Sequence, residues 1–319
     1  MNVRDRQICT ALQFAFPLAT RPYLSIARAI GCGEKEVISR IARLKRNGII
    51  RQISAIFDSS KIGYQSTLAA FKVKEERLEQ VAHSLSALPE VSHNYQREGD
   101  FNLWFTVTIP AGKDLRSAVK ALARNAGVQE WLFLPTVRRF KISFRLPMST
   151  ITPSTRPARV PTDPTPVTVD AAIVNELQKD LPLCARPFRK AARNLGMTEG
   201  GVCALLLRYI ESGAARRFAA VLRQVKAGFA ANVMVAWSPS AARKAALGTY
   251  AATLDLVSHC YERPVSRKWP YSIYTMIHGR SEGECAGVIA QIVKHTGVRR
   301  YCALKTVREF KKVRVSYFA

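Results

Sequence analysis

Apolar residues recur at helical spacing from the start of the chain. Ile8, Ala11 and Leu12 follow Asp5 with that spacing, and Phe16-Pro17-Leu18 then breaks it. Pro22 suits the first turn of a second helix running to about Gly31. A third helix spans roughly 34–47, with Val37, Ile41 and Leu44 as its apolar stripe and Gly48 as its stop. Three short helices with a tight turn before the last predict a helix-turn-helix. Alternating Ile53, Ala55 and Phe57 predict a wing strand behind it.

From Ser66 the pattern becomes strand, helix, strand, strand, helix, strand. The strands fall near 66–73, 91–98, 101–109 and 131–144. Leu78, Val81, Leu85 and Leu88 mark one helix; Leu115, Val119 and Leu122 mark the other. This order predicts a ferredoxin-like β-α-β-β-α-β unit. Residues 147–166 then hold Pro147, Pro153, Pro157, Pro161, Pro164 and Pro166 among Ser and Thr with no Gly, a composition that predicts a semi-stiff linker.

After the linker the pattern starts again. Phe16-Pro17-Leu18 matches Leu181-Pro182-Leu183, Gly31 matches Gly196 and Gly48 matches Gly213, each pair 165 positions apart. His93 and His259 are offset by 166, and Gly127 and Gly297 by 170, so the second copy carries about four extra residues between Arg263 and Tyr271. The expected organisation is a helix-turn-helix domain over 1–60 and a ferredoxin-like domain over 61–146. The linker at 147–166 leads to a degenerate helix-turn-helix over 167–225 and a second ferredoxin-like domain over 226–319. The fold class is α+β, a tandem duplication of winged helix-turn-helix plus ferredoxin-like domain, folding as an internal pseudo-dimer.

Charge narrows the partners. Lys plus Arg number 49 against 23 acidic residues, a formal charge of +26 on 319 residues. That excess predicts nucleic acid, an anionic membrane surface, or a small molecule bearing many carboxylates or phosphates. An apolar content of 48% excludes a disordered chain. Seven cysteines without a Cys-x-x-Cys pair argue against a zinc knuckle and a disulfide framework and suit a reducing cytosol. No signal-peptide core precedes the first helix, and no apolar run approaches the roughly 20 residues needed to cross a bilayer. The expectation is a cytoplasmic protein with no membrane partner.

Candidate chemistry lies in Val91-Ser-His-Asn-Tyr-Gln-Arg97 and its repeat, Val257-Ser-His-Cys-Tyr-Glu-Arg263. On a strand, His93, Tyr95 and Arg97 share one face at about 7 Å spacing, as do His259, Tyr261 and Arg263. In the strand that follows, odd positions from Phe101 to Ile109 are apolar core. The other face carries Asn102, Trp104, Thr106 and Thr108, matched in the second copy by Ser272, Tyr274, Met276 and His278. A polar and aromatic face beside a His/Tyr/Arg row describes a ligand wall. The blander alternatives are ion pairs of Arg97 with Glu98 and Arg263 with Glu262, core roles for Trp104 and Tyr274, and a small buried thiol at Cys260. Recurrence of the polar types in two diverged copies favours the ligand wall, because packing alone does not require them.

The architecture of each half resembles the feast/famine (Lrp/AsnC-type) transcription regulators, which implies DNA binding with a small effector. The candidate recognition helices weigh against that reading. The first carries Lys35, Arg40, Arg43, Lys45 and Arg46, whereas the second, over 199–212, has Arg208 as its one basic residue beside Glu199 and Glu211. A twofold operator reader needs both helices. DNA is therefore an unfavoured partner, and a regulator is the alternative to the enzyme described next.

Ser92-His-Asn-Tyr-x-Arg-Glu with Asn102-Leu-Trp-Phe-Thr closely resembles the siroheme decarboxylases, as do Ser258-His-Cys-Tyr-Glu-Arg-Pro and Trp269-Pro-Tyr-x-Ile-Tyr-Thr-Met-Ile-His-Gly. The string Val307-Arg-Glu-Phe-Lys-Lys-Val-Arg-Val-x-Tyr-Phe also resembles theirs, so the chain looks like two related subunits fused. Gly99 stands where that family often has a further histidine. The resemblance implies loss of carbon dioxide from the C12 and C18 acetates of siroheme, giving 12,18-didecarboxysiroheme for heme or heme d1. It assigns His93 and His278 as proton donors or substrate orienters and Arg97 and Arg263 as carboxylate clamps. Tyr95, Tyr261, Trp104 and Tyr274 would line the ring face, with Asn102 and His259 as further substrate contacts. No separate cofactor is implied, because the iron belongs to the substrate and the macrocycle takes the electrons. The fusion leaves open a chain that works alone, a homo-oligomer, and one needing a second related subunit pair.

Overall fold

Asn2 starts the first helix, α1 (Val3–Phe14), its side chain accepting the backbone N–H of Asp5 at 2.9 Å. Pro22 opens α2 (Pro22–Ile30), and Gly31 ends it at φ 66°, a left-handed position that costs glycine little. In α3 (Glu34–Arg46) the buried residues are Val37, Ile41 and Leu44, the stripe expected from spacing. The computed structural model describes residues 1–142, 168–223 and 228–318. The expected linker at 147–166 lies outside them.

Contacts divide the chain by element type rather than by copy. One unit comprises Met1–Ile62, Arg145–Ala227 and Ser316–Ala319 and holds both helix-turn-helix segments. Here β1 (Ile50–Phe57) is not a wing folded back on its own copy. It pairs antiparallel with β7 (Ala215–Leu222), its counterpart in the repeat. The second copy supplies α6 (Ala171–Leu177), α7 (Arg189–Asn194) and α8 (Glu199–Glu211), the last capped by Thr198 Oγ1 accepting the N–H of Gly201 at 3.0 Å. The basic face of α3 is largely occupied within this unit. Arg40 and Arg43 hold buried Asp5 at 3.0 and 2.8 Å, and Lys45 holds Asp180 at 2.6 Å.

The other unit, Gly63–Phe144 with Gly228–Val315, holds both ferredoxin-like segments. The first copy gives β2 (Tyr64–Phe71), α4 (Glu75–Ala87), β3 (Val91–Arg97), β4 (Leu103–Pro110), α5 (Leu115–Asn125), β5 (Trp131–Pro135) and β6 (Arg138–Ile142). The second gives β8 (Ala231–Trp237), α9 (Ala241–Thr253), β9 (Val257–Glu262), β10 (Ile273–Gly279), α10 (Glu282–Thr296) and β11 (Tyr301–Lys312). The strands form one sheet in the order β5-β2-β4-β3-β11-β8-β10-β9-β6. The last strand of each copy thus crosses into the other. β11 pairs with β8 up to Lys305 and with β3 from Thr306 onward.

The strand expected over 131–144 is correspondingly two strands. β5 pairs with β2 at home, and β6 pairs with β9 of the other copy. Pro135 ends β5, and having no N–H it cannot carry the ladder through the bend. Because β5 and β6 are halves of one segment, the hydrogen-bonded order begins and ends on the same stretch of chain.

Two apolar layers cover the outer face. Leu78, Val81 and Leu85 of α4 and Val119 of α5 pack on Val91, Leu103, Phe105 and Val107. Leu247 of α9 and Val288 and Ile292 of α10 pack on Val233, Val235, Val257 and Ile277. Gly248 lets Phe140 of β6 lie against α9, since a Cβ there would come within 2.4 Å of the Phe140 ring. The inner face has its own cluster, built around Trp104, Tyr274, Leu134, Leu304, Met234 and Trp269.

Candidate active site

The two His/Tyr/Arg rows lie where alternation places them, and a local irregularity adds a residue to each. β3 bulges between Val91 and His93, leaving Ser92 outside the register, and β9 bulges at Ser258 opposite Met276/Ile277. A bulge turns an extra side chain toward its neighbour's face. Ser92 Oγ thus lies 2.9 Å from His93 Nδ1, and Ser258 Oγ lies 2.7 Å from His259 Nδ1. Each imidazole lies near its tyrosine, centroids 6.2 Å apart for His93–Tyr95 and 6.0 Å for His259–Tyr261. Each guanidinium sits over the same tyrosine ring, 5.1 Å away for Arg97 and 5.0 Å for Arg263.

The arginines mark the crossing points of the strands. Arg97 Nη1 donates to the carbonyl of Leu304 at 3.0 Å and to Thr306 Oγ1 at 2.9 Å. Arg263 Nη1 donates to the carbonyl of Leu134, the equivalent position in the other copy. Both side chains are buried, at 5% and 9% exposure. Among the described residues neither forms an ion pair with a carboxylate; Glu262, the partner weighed for Arg263, binds Lys244 at 3.0 Å. Burial lowers the pKa of both guanidinium groups, that of Arg97 to about 10. A buried cation with only neutral partners costs several kcal/mol unless an anion joins it.

His278 is buried at 4% exposure, with Nε2 2.8 Å from Ser258 Oγ. Its pKa is pushed down to about 3, first by burial and then by the positive charges of His259, Lys312 and Arg97. Below pH 6.5 an unfolded chain therefore binds a proton that the folded ring refuses until about pH 3. Stability falls as pH drops through that window, by up to about 1.4 kcal/mol per pH unit for this group. His278→Asn is expected to flatten that slope in urea unfolding followed from pH 7 down to about pH 4.5.

Three candidate residues have other duties. Asn102 accepts the N–H of Val73 at 3.0 Å and donates to its carbonyl at 2.8 Å, clipping two chain segments together. Trp104, at 1% exposure, donates to the carbonyl of Phe101, and Tyr274, at 3%, accepts from Trp269 Nε1 at 2.6 Å. Both are packed in the inner-face cluster. The cause is Trp269, from the four-residue insertion of the second copy, whose ring lies 5.6 Å from both Phe101 and Trp104. Trp269→Ala is expected to cost about 3–5 kcal/mol of stability by leaving a cavity, read from denaturant midpoints.

Sequence reading missed Thr306 and Asn232, which complete the Arg97 environment through a 2.7 Å hydrogen bond between them. A signal was present: Thr136-Val-Arg-Arg-Phe-Lys and Thr306-Val-Arg-Glu-Phe-Lys repeat the threonine. The two rows are not equal. Lys312 and Glu309 oppose His93 and Tyr95, whereas Ile142 and Arg139 oppose His259 and Tyr261. Thr108 stands where the second copy has His278, and its hydroxyl bonds Ser66 at 3.1 Å. Cys260 is a small buried thiol on the outer face, raised to about 12 by burial. Among the described residues no group of His, Cys, Asp and Glu could hold a metal ion, and no helix is long and apolar enough to cross a membrane.

Fold and site define a tandem, regulator-type chain whose crossed sheet carries paired imidazole and guanidinium rows. The AsnC-like ligand binding domain family matches residues 61–141 and 226–311, and the Siroheme decarboxylase NirDL-like HTH domain family matches 5–51 and 170–216. The siroheme decarboxylase of Hydrogenobacter thermophilus is 36% identical over 98% of this chain and 94% of its own. The siroheme decarboxylase NirDL subunit of Paracoccus denitrificans is 32% identical over 91% of this chain and 89% of its own. The crystal structure of the siroheme decarboxylase NirDL in co-complex with an iron-uroporphyrin III analogue superposes with a TM-score of 0.74 at 34% identity. It covers 99% of this chain and 95% of that one. The chain belongs to the siroheme decarboxylase family.

Proposed function

We propose that this protein removes carbon dioxide from the C12 and C18 acetates of siroheme, giving 12,18-didecarboxysiroheme. The observation that carries the reading is the pair of buried guanidinium groups, each without a carboxylate partner among the described residues, and each in a row with a tyrosine and a histidine. A flat ligand edged with carboxylates supplies the missing anions, and guanidinium groups hold carboxylates through paired, charge-assisted bonds. The co-complex of the superposed NirDL enzyme with an iron-uroporphyrin analogue supports the same ligand class.

In each step the bond between the acetate methylene and its carboxylate breaks, and carbon dioxide leaves. The electron pair stays on the methylene carbon, spread into the macrocycle, until a proton arrives to make the methyl. Arg97 and Arg263 hold neighbouring carboxylates and keep the acetates in register with the imidazoles. His93 and His259, both half-buried, donate the protons. His278, buried behind Ser258, orients rather than donates. Tyr95 and Tyr261 face the ligand beneath the guanidinium groups.

Anaerobic incubation of the purified protein with siroheme, followed by mass spectrometry, tests the reading. Loss of two carbon dioxide units without added cofactor is expected. Siroheme bound with its mass unchanged would make the protein a carrier. Failure to bind it, with salt-sensitive duplex binding instead, would return the chain to the regulators.

A further inference from the structure

The two bulge serines differ in what stands behind them. Ser92 touches the imidazole of His93, and the position beyond it is Thr108, whose hydroxyl is turned to Ser66. Ser258 touches His259 at 2.7 Å and His278 Nε2 at 2.8 Å, with the carbonyl of Met276 at 3.2 Å as a third neighbour. One copy therefore holds a pair of groups and the other a chain of three.

A serine hydroxyl has one proton to give and lone pairs to receive. When His259 carries a proton on each nitrogen, its Nδ1–H needs an acceptor, and Ser258 Oγ is placed to be one. The hydroxyl proton then goes to His278 Nε2 or to the Met276 carbonyl. A hydroxyl that donates onward is the stronger acceptor, because successive hydrogen bonds polarise one another. His278 suits this duty because burial keeps it neutral, with a lone pair to offer. This arrangement fixes His259 with Nδ1 protonated toward Ser258 and Nε2 as the nitrogen that reaches substrate.

We propose that Ser258 and His278 are positioning residues that hold His259 as an imidazolium aimed through Nε2, a support that His93 lacks. The proposal rests on the decarboxylase reading and deepens it: the second row is the better proton donor of the two. No atom is transferred to Ser258 in the net step; the proton leaves His259 Nε2 for the methylene carbon, and solvent restores it. The titratable and charged groups around His259 are Tyr261 on its own strand, His278 on β10, and Arg139 of β6 one pair along. Lys312 of β11 and Arg97 of β3 act on His278, while Glu262 is held by Lys244.

Ser258→Ala, Ser258→Thr, Ser92→Ala, His278→Ala and His278→Gln are compared by steady-state turnover against pH and by 15N NMR titration of the imidazoles. Ser258→Ala is expected to lower kcat by about 10–100-fold with KM little changed. The His259 titration and the high-pH limb of activity should move down by about one pH unit. Ser258→Thr and His278→Gln should keep most of both, His278→Ala should shift the titration the same way by less, and Ser92→Ala should leave the His259 titration in place. A His259 titration in Ser258→Ala that matches wild type overturns the proposal, as does an equal effect of Ser92→Ala and Ser258→Ala on kcat. Should wild-type protein leave siroheme intact, the decarboxylase reading fails instead, and the NMR titration still decides the positioning roles.

Discussion

Arg97→Met is expected to weaken siroheme binding by roughly 30-fold to 5,000-fold while shifting the thermal midpoint by no more than about 5 °C. Truncating one member of a buried, hydrogen-bonded charge pair typically costs 2–5 kcal/mol, and that range sets the loss of affinity. Stability responds weakly because two effects oppose. Removing a buried cation whose partners, among them the Leu304 carbonyl, Thr306 and the Tyr95 ring, are all neutral relieves a desolvation cost. Leaving that carbonyl without its donor costs about 1–3 kcal/mol. An anaerobic titration followed in the visible bands of siroheme, beside thermal unfolding by circular dichroism, reads both quantities. Unchanged affinity would remove Arg97 from the carboxylate clamp. Arg97→Lys keeps the charge without the planar fork and should fall between.

His93→Gln and His259→Gln should each lower the rate of carbon dioxide release by about 10²–10⁴-fold, with siroheme affinity kept within a few-fold. Glutamine retains hydrogen-bonding capacity beside Ser92 and Ser258 but cannot deliver a proton as imidazolium does. The double variant should bind the pigment and leave its mass unchanged. If both single variants turn over at the wild-type rate, the two imidazoles are not the donors, and the buried His278 becomes the candidate to test next.

Much of this architecture could be read from periodicity. Val37, Ile41 and Leu44 form the buried stripe of α3, and the odd positions of β4 pack under the helices as alternation requires. The His/Tyr/Arg rows were legible because they occur twice. What stayed hidden depends on partners distant in sequence. Pro135 is a local signal for the break in 131–144, but nothing local says that the second half goes to β9. The basic residues of α3 suggested a phosphate-binding face, yet Arg40 and Arg43 are held by an aspartate more than thirty positions earlier. Trp269 comes from the segment lengthened in the second copy, so no repeat flags its role, and it packs on the inner face with Trp104 and Tyr274. Ser258 and His278 meet through a bulge, a break in the alternation by which side-chain direction is read from sequence. Gly99 makes its turn at φ 106°, a conformation unfavourable to a histidine at that position.

The crossed strands also set a timetable for synthesis. β3, which bears the first imidazole and guanidinium, pairs on one side with β11, and β11 is translated only after the rest of the second copy's strands and helices. At about 5–20 residues per second, the interval between the end of β6 and the end of β11 is roughly ten to thirty seconds. During that time the nascent first half has no Leu304 carbonyl and no Thr306 to receive Arg97. A half-made chain is thus unable to complete the surroundings of Arg97, and the row proposed to hold the substrate is finished only with the closing strand.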